Sequence, residues 1–174
     1  METPETKILI VDDSPQMSKL VRRYLENGGF QLSAASNGQM AIDKTLAESP
    51  DVVLLDFFLP DISGQDVLKR IKEINADTAV IVMTGHGGED IAVKLMKAGA
   101  ADYLSKPFDR ETLLKSLEEV LKIRDLILKR SAELTRELDE VEKEKKIAER
   151  LKKEYEGKIA KIKEIEERNI DIKA

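Results

Sequence analysis

Three carboxylates, a hydroxyl and an ammonium stand out because they gather at the ends of strand-like segments. Asp12 and Asp13 follow "KILIV", Asp56 follows "DVVLL", Thr84 ends "TAVIVMT" and Lys106 follows "ADYLS". Three carboxylates close together repel and do not all ionise comfortably without a cation. An oxygen-only donor set with room for water suits Mg2+. A lysine would add a point positive charge and a threonine a hydroxyl donor. Such a group cradles a phosphoryl, with Asp56 as the nucleophile of an acyl phosphate. Taken singly, each residue also has an ordinary reading. Asp12-Asp13 before Ser-Pro reads as a solvated turn or helix cap, Asp56 as a loop acid, Lys106 as a solvated lysine and Thr84 as a strand-end hydroxyl. Convergence decides between the two, so the elements that position these residues matter most.

Apolar runs at 7–11, 51–55 and 78–84, with the more mixed "FQLSAA" (30–35) and a fifth, shorter "ADYLS" (101–105), read as strands. Between them lie segments of helical spacing. The first carries Met17, Leu20, Val21, Tyr24 and Leu25 and stops at Gly28-Gly29; the last begins near Asp109, a fair N-cap. Continuous apolar strands joined by helical crossovers predict a parallel sheet with helices on both faces. In such sheets the functional crevice lies beyond the carboxyl ends of the strands. That edge receives Asp12, Asp13, Asp56, Thr84 and Lys106 together.

The chain has 174 residues and no cysteine, which excludes a disulfide framework and thiolate metal sites. Neither a secretory leader pattern nor a membrane-length apolar run is present, so a soluble, cytoplasmic protein is expected. Charge is uneven. Residues 1–120 carry net −7, whereas residues 121–174 carry net +2 with 30 of 54 residues charged. A tail so charged does not form a globule alone, so the expected domains are 1–120 and 121–174. Its balanced charge argues against direct nucleic-acid binding.

Four blocks, "ILIVDDSP", "VVLLDFFLPDISG", "VIVMTGHG" and "ADYLSKPF", resemble in order and spacing the receiver domain of two-component response regulators. The resemblance covers roughly residues 5–122. It implies a flavodoxin-like five-stranded parallel sheet in the order 2-1-3-4-5; the long C-terminal helix expected to extend helix 5 comes from the tail's own pattern. By position, Asp56 resembles the phosphoacceptor. Asp12, Asp13, Asp56 and the backbone carbonyl of Phe58 resemble the Mg2+ ligands. Thr84, Lys106 and the backbone of Gly85 resemble the phosphoryl-contacting groups. Thr84 and Tyr103 match the switch residues, and Pro107 falls where the preceding peptide is commonly cis. Phe58 and His86 fall where the family tunes phosphoaspartate hydrolysis, although His86 also reads as an exposed loop residue. The implied protein is a phosphoacceptor, not an enzyme acting on a separate substrate. Its implied donor is a sensor histidine kinase or phosphotransfer protein.

Beyond Leu113 no helix break appears before Gly157, and a helix over 110–170 would be about 90 Å long. Leu113, Leu117, Val120, Ile127, Leu134, Leu138, Val141 and Ala148 follow three-four steps, with Arg124, Ser131 and Lys145 in polar seats. A three-residue step then leads to Leu151, Tyr155, Ile162, Ile165 and Ile172, with Lys158 and Asn169 in polar seats. This predicts a weak coiled coil and a homodimer. No output motif follows residue 120, so an output domain beyond the chain is expected unless the stalk itself meets the partner. Two rivals remain at this level. A flavin carrier on the same sheet would need Ser/Thr/Gly-rich phosphate loops and flanking aromatics. An aspartate-nucleophile phosphohydrolase would need an acid where Phe58 stands.

Overall fold

The computed structural model of the chain describes residues 5–85 and 89–171. His86 and Ile172 lie outside them. Elements alternate throughout: β1 (Thr6–Val11), α1 (Pro15–Leu25), β2 (Phe30–Ala35), α2 (Gly38–Glu48), β3 (Val52–Asp56), α3 (Gly64–Ile74), β4 (Ala79–Thr84), α4 (Glu89–Lys97), β5 (Asp102–Ser105) and α5 (Arg110–Asp171). The chain divides into two units, Met1–Leu126 and Ile127–Ala174.

Within the first unit the strands form one parallel sheet in the order β2-β1-β3-β4-β5. The apolar runs have no alternation because both faces are covered. Ile8, Ile10, Leu54, Ile81 and Met83 face α1 and α5, which contribute Val21, Leu25, Leu113, Leu117 and Val120. Leu9, Val11, Val53, Leu55, Val80 and Val82 face α2, α3 and α4. Side chains alternate across a strand, so one continuous apolar run serves two cores.

Helix starts are set by short polar side chains, as cap chemistry requires. Ser14, Asn37 and Ser63 accept from the N–H of Met17, Met40 and Asp66. The expected Asp109 cap is present, its Oδ1 accepting from Thr112 N at 2.8 Å. Pro15 occupies the first turn of α1, where its missing N–H costs nothing.

A further clamp joins α2 to the loop after β3. Asp61 Oδ1 accepts from Gly38 N at 2.8 Å and Oδ2 from Gln39 N at 2.9 Å. These two N–H groups hold the Asp61 carboxyl below its ordinary value of 3.8. A depressed folded-state pKa contributes stability that is present above the unfolded value and lost as pH falls through the folded one. Asp61→Asn is therefore expected to lower the thermal midpoint at neutral pH. The gap to the parent protein closes as the pH drops below 3.8; thermal melts across a pH series read it directly.

Helix α5 corrects the seam expected at its start. Leu113, Leu117 and Val120 are at most 4% exposed and belong to the sheet's core. Arg124 is no coiled-coil seat either. Its Nη2 pairs with Asp51 Oδ1 at 2.8 Å and its Nε donates to Asp77 O at 2.9 Å. Asp51 in turn accepts from Lys7 N at 2.8 Å through its other oxygen. A surface-like three-four pattern and a core-facing helix stripe share the same period, so the sequence could not separate them.

In the second unit α5 continues through Asp171, and every side chain from Lys129 to Arg168 is exposed. Among the described residues no helix is long and apolar enough to cross a membrane.

Candidate functional site

All five strands run the same way, so their carboxyl ends share one edge of the sheet, where the chain leaves each strand for a loop. Asp12 is the first residue past β1. Its N–H donates to Ala35 O at 3.1 Å, which fixes the chain leaving β1 against the end of β2. Its Oδ1 accepts from Ser14 N at 2.9 Å, so the turn reading holds for one oxygen. The other oxygen points to Lys106. Asp56 is the last residue of β3, in register with Met83 of β4.

The five residues converge. Ligand oxygens of Asp12, Asp13 and Asp56 lie within 4.8 Å of one another. Lys106 Nζ sits 2.7 Å from Asp12 Oδ2 and 3.0 Å from Asp56 Oδ2. Asp12 and Asp56 are 2% and 7% exposed, while Asp13 faces solvent. Thr84 is fully buried at the end of β4, and its carbonyl accepts from Lys106 N at 2.7 Å. That bond carries the β4–β5 ladder one step past Ser105 and brings the lysine back over the sheet edge. Gly85 is exposed, with open space where a side chain would project.

Burial pushes the Asp56 carboxyl above its ordinary range, and the charge on Asp12 adds to this. The hydrogen bond and charge of Lys106, with the Phe58 N–H, pull the other way. Desolvation wins because the carboxylate sits in the sheet rather than on a loop tip. One ammonium shared by two buried acids leaves the cluster short of positive charge. The oxygen-only donor set, half buried and open on the Asp13 side, fits a hard divalent cation.

The loop after Asp56 is held close. Phe57 N donates to Met83 O at 2.9 Å, and Gly64 N donates to Phe57 O at 3.0 Å. A side chain at Gly64 would meet Phe57 O at 2.6 Å, so glycine is required there for the two segments to approach. Phe58 N donates to Asp56 Oδ1 at 3.2 Å, while its ring is 52% exposed and stands edge-on to Phe57. Tyr103 pairs in register with Val82, two residues before the end of β5. The Lys106–Pro107 peptide is cis. His86 lies outside the described residues.

Sequence reasoning overlooked Gly64 and Asp61, which fix the loop that carries Phe57 and Phe58. Gly64 was legible as a Ser-Gly helix start, but its contact with Phe57 O needed the tertiary arrangement. The bond from Ser116 Oγ to Asp102 Oδ2, joining α5 to β5, had no local signature at all.

Residues 8–118 match the model of the response regulator receiver domain. The chemotaxis protein CheY of Bacillus subtilis is 34% identical over 116 residues, which is 66% of this chain and 97% of that protein. The C4-dicarboxylate transport transcriptional regulatory protein DctD of Pseudomonas aeruginosa is 34% identical over 71% of this chain, which spans 27% of the length of that relative. Among solved structures, the signal receiver domain of a Luxo repressor protein from Vibrio parahaemolyticus aligns with a TM-score of 0.68 at 34% identity, over 70% of this chain and 94% of that one. The sheet order, the acidic pocket of Asp12, Asp13 and Asp56, and this likeness lead to one conclusion: the chain belongs to the response regulator receiver family, and its pocket suits phosphorylation with Mg2+.

Proposed function

We propose that Asp56 accepts a phosphoryl group from the phosphohistidine of a sensor histidine kinase or phosphotransfer protein. In that step an Asp56 oxygen bonds to phosphorus, the donor's N–P bond breaks, and its imidazole keeps the electron pair and takes up a proton. The observation that carries the reading is the single ammonium of Lys106, set between Asp12 at 2.7 Å and Asp56 at 3.0 Å. Asp12, Asp13, Asp56 and the Phe58 carbonyl would hold Mg2+, which offsets charge on the transferring group when bound. Lys106 turns from its carboxylate partners to the incoming oxygens. Thr84 and the Gly85 N–H contact the same oxygens, and Tyr103 follows Thr84 as the switch residue.

Acetyl phosphate with Mg2+ is the direct test, read by intact mass. One added phosphoryl, lost when a chelator is present, is the expected result. An unchanged mass in the presence of Mg2+ would overturn the reading.

Phe58 and His86 are the residues we place in control of the phosphoryl lifetime. The half-exposed Phe58 ring offers no polar atom to orient an attacking water. Phe58→Asn is expected to speed loss of the phosphoryl on the order of tenfold, a modest share of what orienting a reactant contributes. An unchanged decay rate removes Phe58 from this role.

The stalk from residue 121 is proposed to join two copies and to carry the phosphorylation signal through α5 to a partner or output domain. Support comes from the exposed apolar row Leu134, Leu138 and Val141, which a second copy would cover. The protein is proposed to work in the cytoplasm.

A further inference from the structure

The stalk's second half carries two apolar seams where a rigid coiled coil needs one. From Ile127 to Ala148 a single three-four frame runs through Leu134, Leu138 and Val141, with Ser131 and Lys145 in its seats. Past Ala148 that frame divides. Continued without interruption it passes through Lys152, Tyr155, Ile159, Ile162 and Glu166. Shortened by one residue it passes through Leu151, Tyr155, Lys158, Ile162 and Ile165. Both paths share Tyr155 and Ile162, and all five apolar side chains involved are between 48% and 63% exposed. The two seams differ by a helix rotation of about 50°.

Neither path wins clearly. The continuous one seats Ile159 but also Lys152 and Glu166, and in a parallel pair it sets Lys158 against the partner's Lys163. The shortened one seats Leu151 and Ile165 and sets Lys161 against the partner's Glu166, an opposite-charge pair. It also seats Lys158, leaves Ile159 at its edge and needs an overwound three-residue step. Upstream, the frame cannot impose a register. Its polar seats weaken it, and a parallel pair sets Glu137 and Glu144 against the partner's Glu142 and Glu149. Gly157 lies between the shared residues with open space around it, and a glycine there loosens the helix.

We infer that residues 151–166 are a self-association surface for a second, parallel copy with two interchangeable seams, one through Ile159 and one through Leu151 and Ile165. This rests on the homodimeric reading of the stalk. Tyr155 and Ile162 stay in contact while the helices roll between the seams.

The chain contains no cysteine, so single-cysteine variants of the full chain report the seam directly. Leu151→Cys, Ile159→Cys and Ile162→Cys are oxidised, and disulfide-linked dimer is followed with and without Mg2+ and beryllofluoride. Ile162→Cys is expected to link in both conditions. Leu151→Cys and Ile159→Cys are expected to link at rates within about tenfold of each other in at least one condition, or to exchange dominance between the two, since a disulfide forms only where the Cβ atoms approach closely. The same one of the pair leading by more than about tenfold in both conditions leaves a single fixed seam and overturns the inference. An Ile162→Cys chain that never links overturns it together with the parallel dimer, while phosphoryl uptake, followed separately by mass, is unaffected.

Discussion

Replacing Asp56 by Asn is expected to abolish phosphoryl uptake from acetyl phosphate and, in the same protein, to raise the thermal midpoint. The first effect is complete because an amide oxygen is a poor nucleophile and cannot form the mixed anhydride. The second follows from burial. Asp56 is 7% exposed and shares one ammonium with Asp12, so its charge is held in the folded state against its preference for water. An isosteric neutral side chain removes that cost and leaves Lys106 to Asp12. Intact mass and thermal melts without divalent cation read the two effects on one sample. Phosphorylation surviving the substitution would move the acceptor elsewhere. A lower midpoint would mean that the Lys106 contact outweighs the burial of charge.

Replacing Lys106 by Met is expected to act in the opposite direction. The lysine is 16% exposed on its side chain and bridges carboxylates that are 0% and 9% exposed. Without it Asp12 and Asp56 have no counter-charge among the described residues. Removing one partner of a buried ion pair costs about 3 kcal/mol at the lower end of measured cases. Denaturant unfolding in chelator should show that loss, and Mg2+ should restore more stability to the variant than to the parent, because the variant's acids have no competing cation. Equal stabilisation of both proteins by Mg2+ would mean that Lys106 and the ion do not share these oxygens.

These opposite signs come from residues that were readable before any fold was known. Asp12, Asp56 and Thr84 each end an unbroken apolar run and Lys106 follows the shorter, mixed "ADYLS", and parallel strands place such ends on one edge. The runs themselves were unbroken because helices cover both faces, which the paired cores of Leu9 with Val11 and Ile8 with Ile10 make explicit. What sequence reasoning lacked was anything fixed by tertiary approach. Gly64 under the Phe57 carbonyl and Asp61 on the α2 N-terminus join segments far apart or turned back on themselves. Leu113, Leu117 and Val120 were counted in the coiled-coil seam because a helix buries one stripe at the same period whether a sheet or another helix covers it.

The ion pair of Arg124 with Asp51 has a practical corollary for anyone excising this module. The family match stops at residue 118, yet Arg124, six residues later, still reaches the residue before β3 and the turn before β4. Scissors placed at 118 would sever Val120 and Arg124 from a body they help to close. A cut after Leu126 keeps both.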